Sequence, residues 1–127
     1  MAKKVYLTKE AILGANDIEI REVEVPEWGG IVGVRGMTGR ERQKYEESLQ
    51  GKKGQINTRY ALEKLVALCV VDKDGNRLFS DDDIAALSKK SARALMRVAA
   101  VATELSGLTK EDMEEMVENF DETLSDG

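Results

Sequence analysis

Asp72, Asp74 and Asn76 stand at positions one, three and five of a loop whose twelfth position is Asp83. With that spacing an EF-hand surrounds calcium with oxygen ligands. Two positions break the pattern: Arg77 takes the sixth place, where the sharp turn needs glycine, and the twelfth is Asp rather than the longer bidentate Glu. The segment is therefore read as an Asp-Gly turn leading into a helix cap, with no metal assigned. Asp81, Asp82 and Asp83 could cluster on a cation, yet three acids in the first turn of a helix are already explained by the helix macrodipole.

The remaining candidates for chemistry are equally lean. Cys69 lies in an apolar helical run, and the chain has no His to serve as its base, so the thiol is read as a small buried hydrophobe. Gly29, Gly30, Gly33, Gly36 and Gly39 match neither the dinucleotide fingerprint nor a phosphate loop and read as turn and hairpin residues. Arg40, Arg42, Lys44, Lys52 and Lys53 could meet a phosphate backbone, but the basic surplus of that half of the chain is too small to predict nucleic-acid binding. No catalytic, metal or cofactor-binding residue is assigned, and the expectation is a protein that is not an enzyme and needs no cofactor.

What does stand out is adhesive. Residues 109–127 hold one Lys against eight Asp and Glu, more than the whole formal charge of −5. Within them Met113, Met116, Val117 and Phe120 fall at i, i+3, i+4 and i+7, one face of a helix surrounded by carboxylates. Such a stripe either docks on its own core or holds another chain, and methionine suits a surface that must adapt to irregular partners. Trp28, the single tryptophan, sits in a turn. It either covers the hairpin or projects as an anchor. These five residues are the candidate partner-binding set.

The elements that must position them follow from caps and periodicity. Thr8 opens a short helix over 8–13 that stops at Gly14. Ile18, Ile20, Val23 and Val25 alternate with charges as a strand does, the odd step from Ile20 to Val23 predicting a bulge or break. A turn at 26–30 and a returning strand at 31–35 complete a hairpin. Thr38 and Glu41 have capping-box spacing at the head of a polar helix reaching about Gln50. Residues 51–54 form a surface loop. Asn57 or Thr58 opens the central core helix, with Tyr60, Leu62, Leu65, Val66, Leu68 and Cys69.

After the turn at 72–76, Ser80 caps a short helix through Leu87, and Ser88 is expected to cap the next. In that helix Leu87, Ser91, Leu95, Val98, Ala102 and Leu105 form one stripe and Ala92, Met96, Ala99 and Thr103 a second, so it can pack on two sides. Ser106-Gly107 ends it, and Thr109 with Asp112 starts a final acidic helix. The expected fold is α+β, mainly α: an N-terminal β-hairpin packed on a bundle of about four to five helices. Residues 1–108 form a single α+β domain (hairpin about 17–36, helices about 39–105), and 109–127 an acidic amphipathic helix with a disordered end. At 127 residues one modest core is expected. No run approaches the ~18 to 20 apolar residues of a membrane span, and no signal-peptide pattern opens the chain, so a cytosolic protein is expected.

Residues 4–28, KVYLTKEAILGANDIEIREVEVPEW, together with 29–41, GGIVGVRGMTGRE, resemble the first half of phage tail assembly chaperones of long-tailed bacteriophages and prophages. Residues 70–109, VVDKDGNRLFSDDDIAALSKKSARALMRVAAVATELSGLT, resemble their second half. The resemblance rests on the order and spacing of these pieces, with 45–59 the variable part. It implies a non-catalytic protein of the host bacterial cytoplasm, absent from the mature virion, that binds the tape measure protein, keeps it soluble and assists tail tube polymerisation around it. It also implies that a longer, frameshifted form could recruit the major tail protein, and it leaves a homo-oligomer open. The rival readings are a structural tail completion or connector protein of the virion, which would stay in the particle, and a metal-dependent enzyme or sensor.

Overall fold

The computed structural model describes residues 4–50 and 59–108. Helix α1 (Lys9–Gly14) starts where Thr8 accepts a hydrogen bond from the Ala11 N–H, and it buries none of its residues. Strand β1 (Ile20–Val25) pairs antiparallel with β2 (Gly30–Arg35). Between them Pro26–Trp28 forms one 3-10 turn, closed by Gly29 at φ 77°, a left-handed conformation that glycine adopts without steric cost.

The predicted bulge is absent. β1 and β2 pair one to one from Ile20↔Arg35 to Val25↔Gly30. The odd spacing has another cause: residues three apart in a strand point to opposite faces. Ile20 is on the outer face at 50% exposure, whereas Val23 on the inner face is 8% exposed and Val25 is fully buried.

Helix α2 (Gly39–Ser48) carries the predicted capping box, with the Glu41 N–H donating to Thr38 Oγ1 and the Thr38 N–H donating to Glu41 Oε1. It is less polar in role than in composition, because Tyr45 and the following Leu49 are buried. The Tyr45 hydroxyl donates to the Ala61 carbonyl at 3.1 Å. Helix α3 (Ala61–Cys69) begins after Tyr60, which adopts φ 62°. This start lies later than the predicted Asn57 or Thr58, and those two residues, like the predicted 51–54 loop, fall outside the described residues.

At its C-terminal end α3 passes directly into β3 (Val70–Val71), which pairs with β2 through Gly33↔Val71 and Val34↔Val70. The expected hairpin is thus the larger part of a three-stranded antiparallel sheet ordered β1-β2-β3. Two consecutive valines at the end of an apolar helix carry no alternation by which to recognise a strand.

A tight turn at Asp72 to Asn76 follows, then a 3-10 turn at Asp81–Asp83, α4 (Ile84–Leu87) and α5 (Ala92–Leu105). Ser88 does not cap α5. Its hydroxyl donates to the Ala85 carbonyl, and Ser91 is the cap, accepting from the Ala94 N–H. The reason is that Ser88 keeps helical dihedrals at the end of α4, while an N-cap residue must sit outside the helical region.

The core lies between the inner sheet face and the α3 and α5 helices. Val25, Val34, Leu65, Val66, Leu95 and Val98 fill it, and Ala67, Ala94, Ala99 and Ala102 bring backbones close. Of the two stripes on α5, Leu95, Val98 and Ala102 of the first are buried. The second divides: Ala99 and Thr103 are buried, whereas Ala92 and Met96 face solvent. Two ion pairs anchor α5 to the hairpin, Arg21 to Glu104 at 3.0 Å and Arg97 to Glu27. Arg97 also holds the Glu27 carboxyl below its ordinary range.

Candidate protein-interaction surface

The oxygen-rich turn spends its carboxylates on its own backbone. Asp72 Oδ1 accepts from the Asp74 N–H at 2.9 Å and the Asn76 N–H at 3.0 Å, while Asp83 Oδ2 accepts from the Ser80 N–H at 2.8 Å. Gly75 supplies the positive φ, 86°, that the turn requires. Arg77 occupies the place of the EF-hand glycine and reaches the other way, with Nε donating to the Ala67 carbonyl at the end of α3. Among the described residues no group of three or more His, Cys, Asp or Glu is placed to hold a metal ion.

Cys69 is fully buried, and burial pushes its thiol up to about 12 despite nearby Arg35 and Arg77. It stays protonated at neutral pH, the opposite of what a nucleophilic cysteine requires.

The most perturbed acid is structural. Arg35 grips Glu41 with two parallel bonds, Nη1 to Oε1 at 2.8 Å and Nη2 to Oε2 at 2.5 Å, and both side chains are mostly shielded from water. These bonds hold the Glu41 carboxyl at about 2, below its ordinary 4.5, with further help from Thr38. The same carboxylate therefore caps α2 and ties it to β2. Sequence spacing revealed only the cap, because Arg35 lies in a strand and no helical or strand periodicity relates it to Glu41.

A carboxyl depressed in the folded state contributes stability above its unfolded value, and that contribution is lost as pH falls from about 4.5 toward 2. Glu41→Gln keeps a residue able to complete the capping box but removes the charge. It is expected to cost about 1–2 kcal/mol at pH 7, less than a fully buried pair. The gap between wild type and variant should close on acidification below pH 4. Urea unfolding of both proteins between pH 7 and pH 2.5 measures it, and a gap independent of pH would remove the charge from the account.

Trp28 lies in the turn between β1 and β2, partly buried against the core. Part of its side chain stays in reach of solvent. Met113, Met116, Val117 and Phe120 lie outside the described residues.

Sequence reasoning passed over a different apolar surface. Val5, Tyr6, Leu7, Ile12 and Leu13 are all more than half exposed, Tyr6 at 93%, and Ile20 and Ile31 add apolar area on the outer sheet face. A helix of six residues is too short to present a recognisable apolar face, so periodicity offered no warning. The usable signal was simpler: an apolar run at 5–7 with no second element near in sequence to cover it.

The described residues form an α+β fold in which Cys69 is packed in the core, the carboxylates of Glu41, Asp72 and Asp83 are spent on helix caps, a turn and an ion pair, and apolar side chains are exposed along the N-terminal segment. Residues 8–119 match the family model described as phage tail assembly chaperone. The chain belongs to the phage tail assembly chaperone family. The match runs from the Thr8 cap, across the sheet and the five α-helices of the described residues, into the acidic C-terminal segment.

The fold of this family member is also similar to that of the bacteriophage HK97 tail assembly chaperone. The TM-score is 0.58 and the identity 22%, over 74% of this chain and 88% of the other. No curated protein sequence matches the chain. At that level of identity the structural likeness speaks for the fold alone. It agrees with the α+β, mainly helical class expected from the sequence.

Proposed function

We propose that this family member binds a tape measure protein in the host bacterial cytoplasm, keeps it soluble, and assists tail tube polymerisation around it with no catalytic step. The observation that carries the reading is the family match over most of the chain. The physical requirements of the task agree with the residues. A long, aggregation-prone partner is best held by many weak apolar contacts on a carrier that is itself charged, because excess like charge keeps the complex dispersed. The acidic segment with Met113, Met116, Val117 and Phe120 supplies such contacts, and Trp28 supplies an aromatic anchor.

Co-expression with the tape measure protein of the same phage tests this. The expected result is a tape measure protein that is insoluble alone, soluble with this chain, and co-eluting with several copies of it. Met113→Asp with Phe120→Asp should lower the captured amount at least tenfold, since each change buries a charge in an apolar contact. Absence of association would overturn the reading. Recovery of this chain from purified virions by mass spectrometry would replace it with a structural role in the particle.

A further inference from the structure

We infer that residues 109–121 fold back as a helix on the exposed side of α5 in the same chain and cover their own apolar stripe there. Three observations choose this occupant. The first is the face itself. Ala92, Met96 and Ala100 recur at i, i+4 and i+8 along one side of α5, all three are exposed, and Met96 is 58% exposed. The opposite side of the same helix carries Leu95, Val98 and Ala102 into the core. A helix apolar on two sides calls for a second neighbour.

The second is the way the chain leaves α5. The Gly107 N–H donates to the Glu104 carbonyl and the Leu108 N–H to the Thr103 carbonyl, with Gly107 at φ 73°. This is the Schellman arrangement, which closes a helix and turns the chain off its axis. Leu108 packs against the core, so residue 109 starts beside the end of α5. A short connection between helices makes them antiparallel neighbours. As a helix, residues 109–121 are about 18 Å long, matching the length of α5 from Leu105 back to Arg93.

The third is charge in register. Residues 84–103 hold Lys89, Lys90, Arg93 and Arg97 and no acid, whereas 109–127 hold eight acids and one Lys, Lys110. Glu27 takes Arg97, but Lys89, Lys90 and Arg93 have no ion-pair partner among the described residues. Arg93 and Glu104 stand three helical turns apart on one flank of the Ala92, Met96 and Ala100 row. Lys110 and Asp121 have the same separation on one flank of the stripe of Met113, Met116, Val117 and Phe120. Antiparallel packing turns these two flanks to the same side, so Asp121 meets Arg93 where Lys110 meets Glu104. Glu104 also reaches Arg21, yet its side chain is 67% exposed, which leaves room for a second donor. The same register lays Val117 and Phe120 against Met96.

With the stripe covered in the free chain, any protein that binds it competes with α5. The docking itself stands whether or not that protein is a tape measure protein.

Disulfide trapping on the full chain, with no partner present, tests it. Met96→Cys with Phe120→Cys, oxidised by glutathione disulfide, should close a bond within one chain. The control is Ile31→Cys with Phe120→Cys, which places the first thiol on the outer sheet face; trapping at α5 should be roughly tenfold faster, because docking raises the effective concentration of the two thiols. Cys69 is fully buried and stays out of the exchange. Arg93→Glu added to the first pair should slow trapping about threefold, and Asp121→Arg added to that should restore it. Equal rates at α5 and at the control position overturn the inference, as does a rate indifferent to Arg93→Glu. Bonds that form between labelled and unlabelled copies in a mixture, rather than within one chain, overturn it too and assign the face to a second copy.

Discussion

Gly36→Ala is expected to destabilise the protein by about 3 kcal/mol, a large fraction of the stability of a domain this size. Gly36 sits where the chain leaves β2 for α2, directly against the C-terminal end of α5. A Cβ built there would lie 2.6 Å from the Leu105 carbonyl oxygen and 3.1 Å from its carbon. The obstructing atoms are backbone, so no rotamer change relieves the clash. Either β2 or the end of α5 must shift, and the Met37 N–H donating to Ser106 Oγ at 2.9 Å binds the same two segments together.

The thermal midpoint should fall by roughly 10 °C, taking about 3–5 °C per kcal/mol for a chain of this length. Gly39→Ala is the control, since no atom lies within 4 Å of its Cβ position and alanine suits a helix better than glycine. It should leave the midpoint unchanged or raise it. A Gly36→Ala midpoint equal to that of the control would show that the two segments are not held in contact.

Leu65→Ala should cost about 3–4 kcal/mol in urea unfolding, within the range for deletion of a buried leucine. Leu65 is 1% exposed on α3 and belongs to the cluster with Leu95 and Val98 of α5. The neighbourhood is already rich in alanine, and fixed backbones leave little freedom to collapse into the void. Leu78→Ala, at a residue 50% exposed, should cost less than about 1 kcal/mol because most of the removed surface was already in water. Equal costs at the two positions would place the core elsewhere than between α3 and α5.

Much of the local architecture was legible because its causes are local. Thr8, the Thr38 and Glu41 pair, and Ser106-Gly107 act over three or four residues, and each does in the structure what its spacing predicts. The Asp72 turn was legible for the same reason. Errors of placement arose where two local signals competed. Ser88 and Ser91 are both serines near a helix start, and the dihedrals at the end of α4 decided between them. The step from Ile20 to Val23 breaks the alternation of a single strand face because the two residues lie on opposite faces of β1.

Among possible sites, the same division holds. The C-terminal stripe of Met113, Met116, Val117 and Phe120 is an expectation from period and charge, which are properties of the segment alone, and it lies outside the described residues. The N-terminal apolar surface could not be read that way, because exposure of Val5, Tyr6 and Leu7 is a statement about what the rest of the chain leaves uncovered.

By itself, then, the sequence determined the α+β class, the caps at Thr8 and Thr38, the two glycine-closed turns at Gly29 and Gly75, the central apolar helix and the acidic composition of the C-terminal segment, together with the likeness to phage tail assembly chaperones. Only the tertiary structure decided that Val70 and Val71 make a third strand, that Arg35 grips Glu41, that Arg21 and Arg97 anchor the hairpin to α5, and that Gly36 must be glycine. The physical reason is range. Caps, turns and periodicity are set by neighbours in sequence. Strand pairing, ion pairs and close backbone approach depend on which distant segments the core brings together.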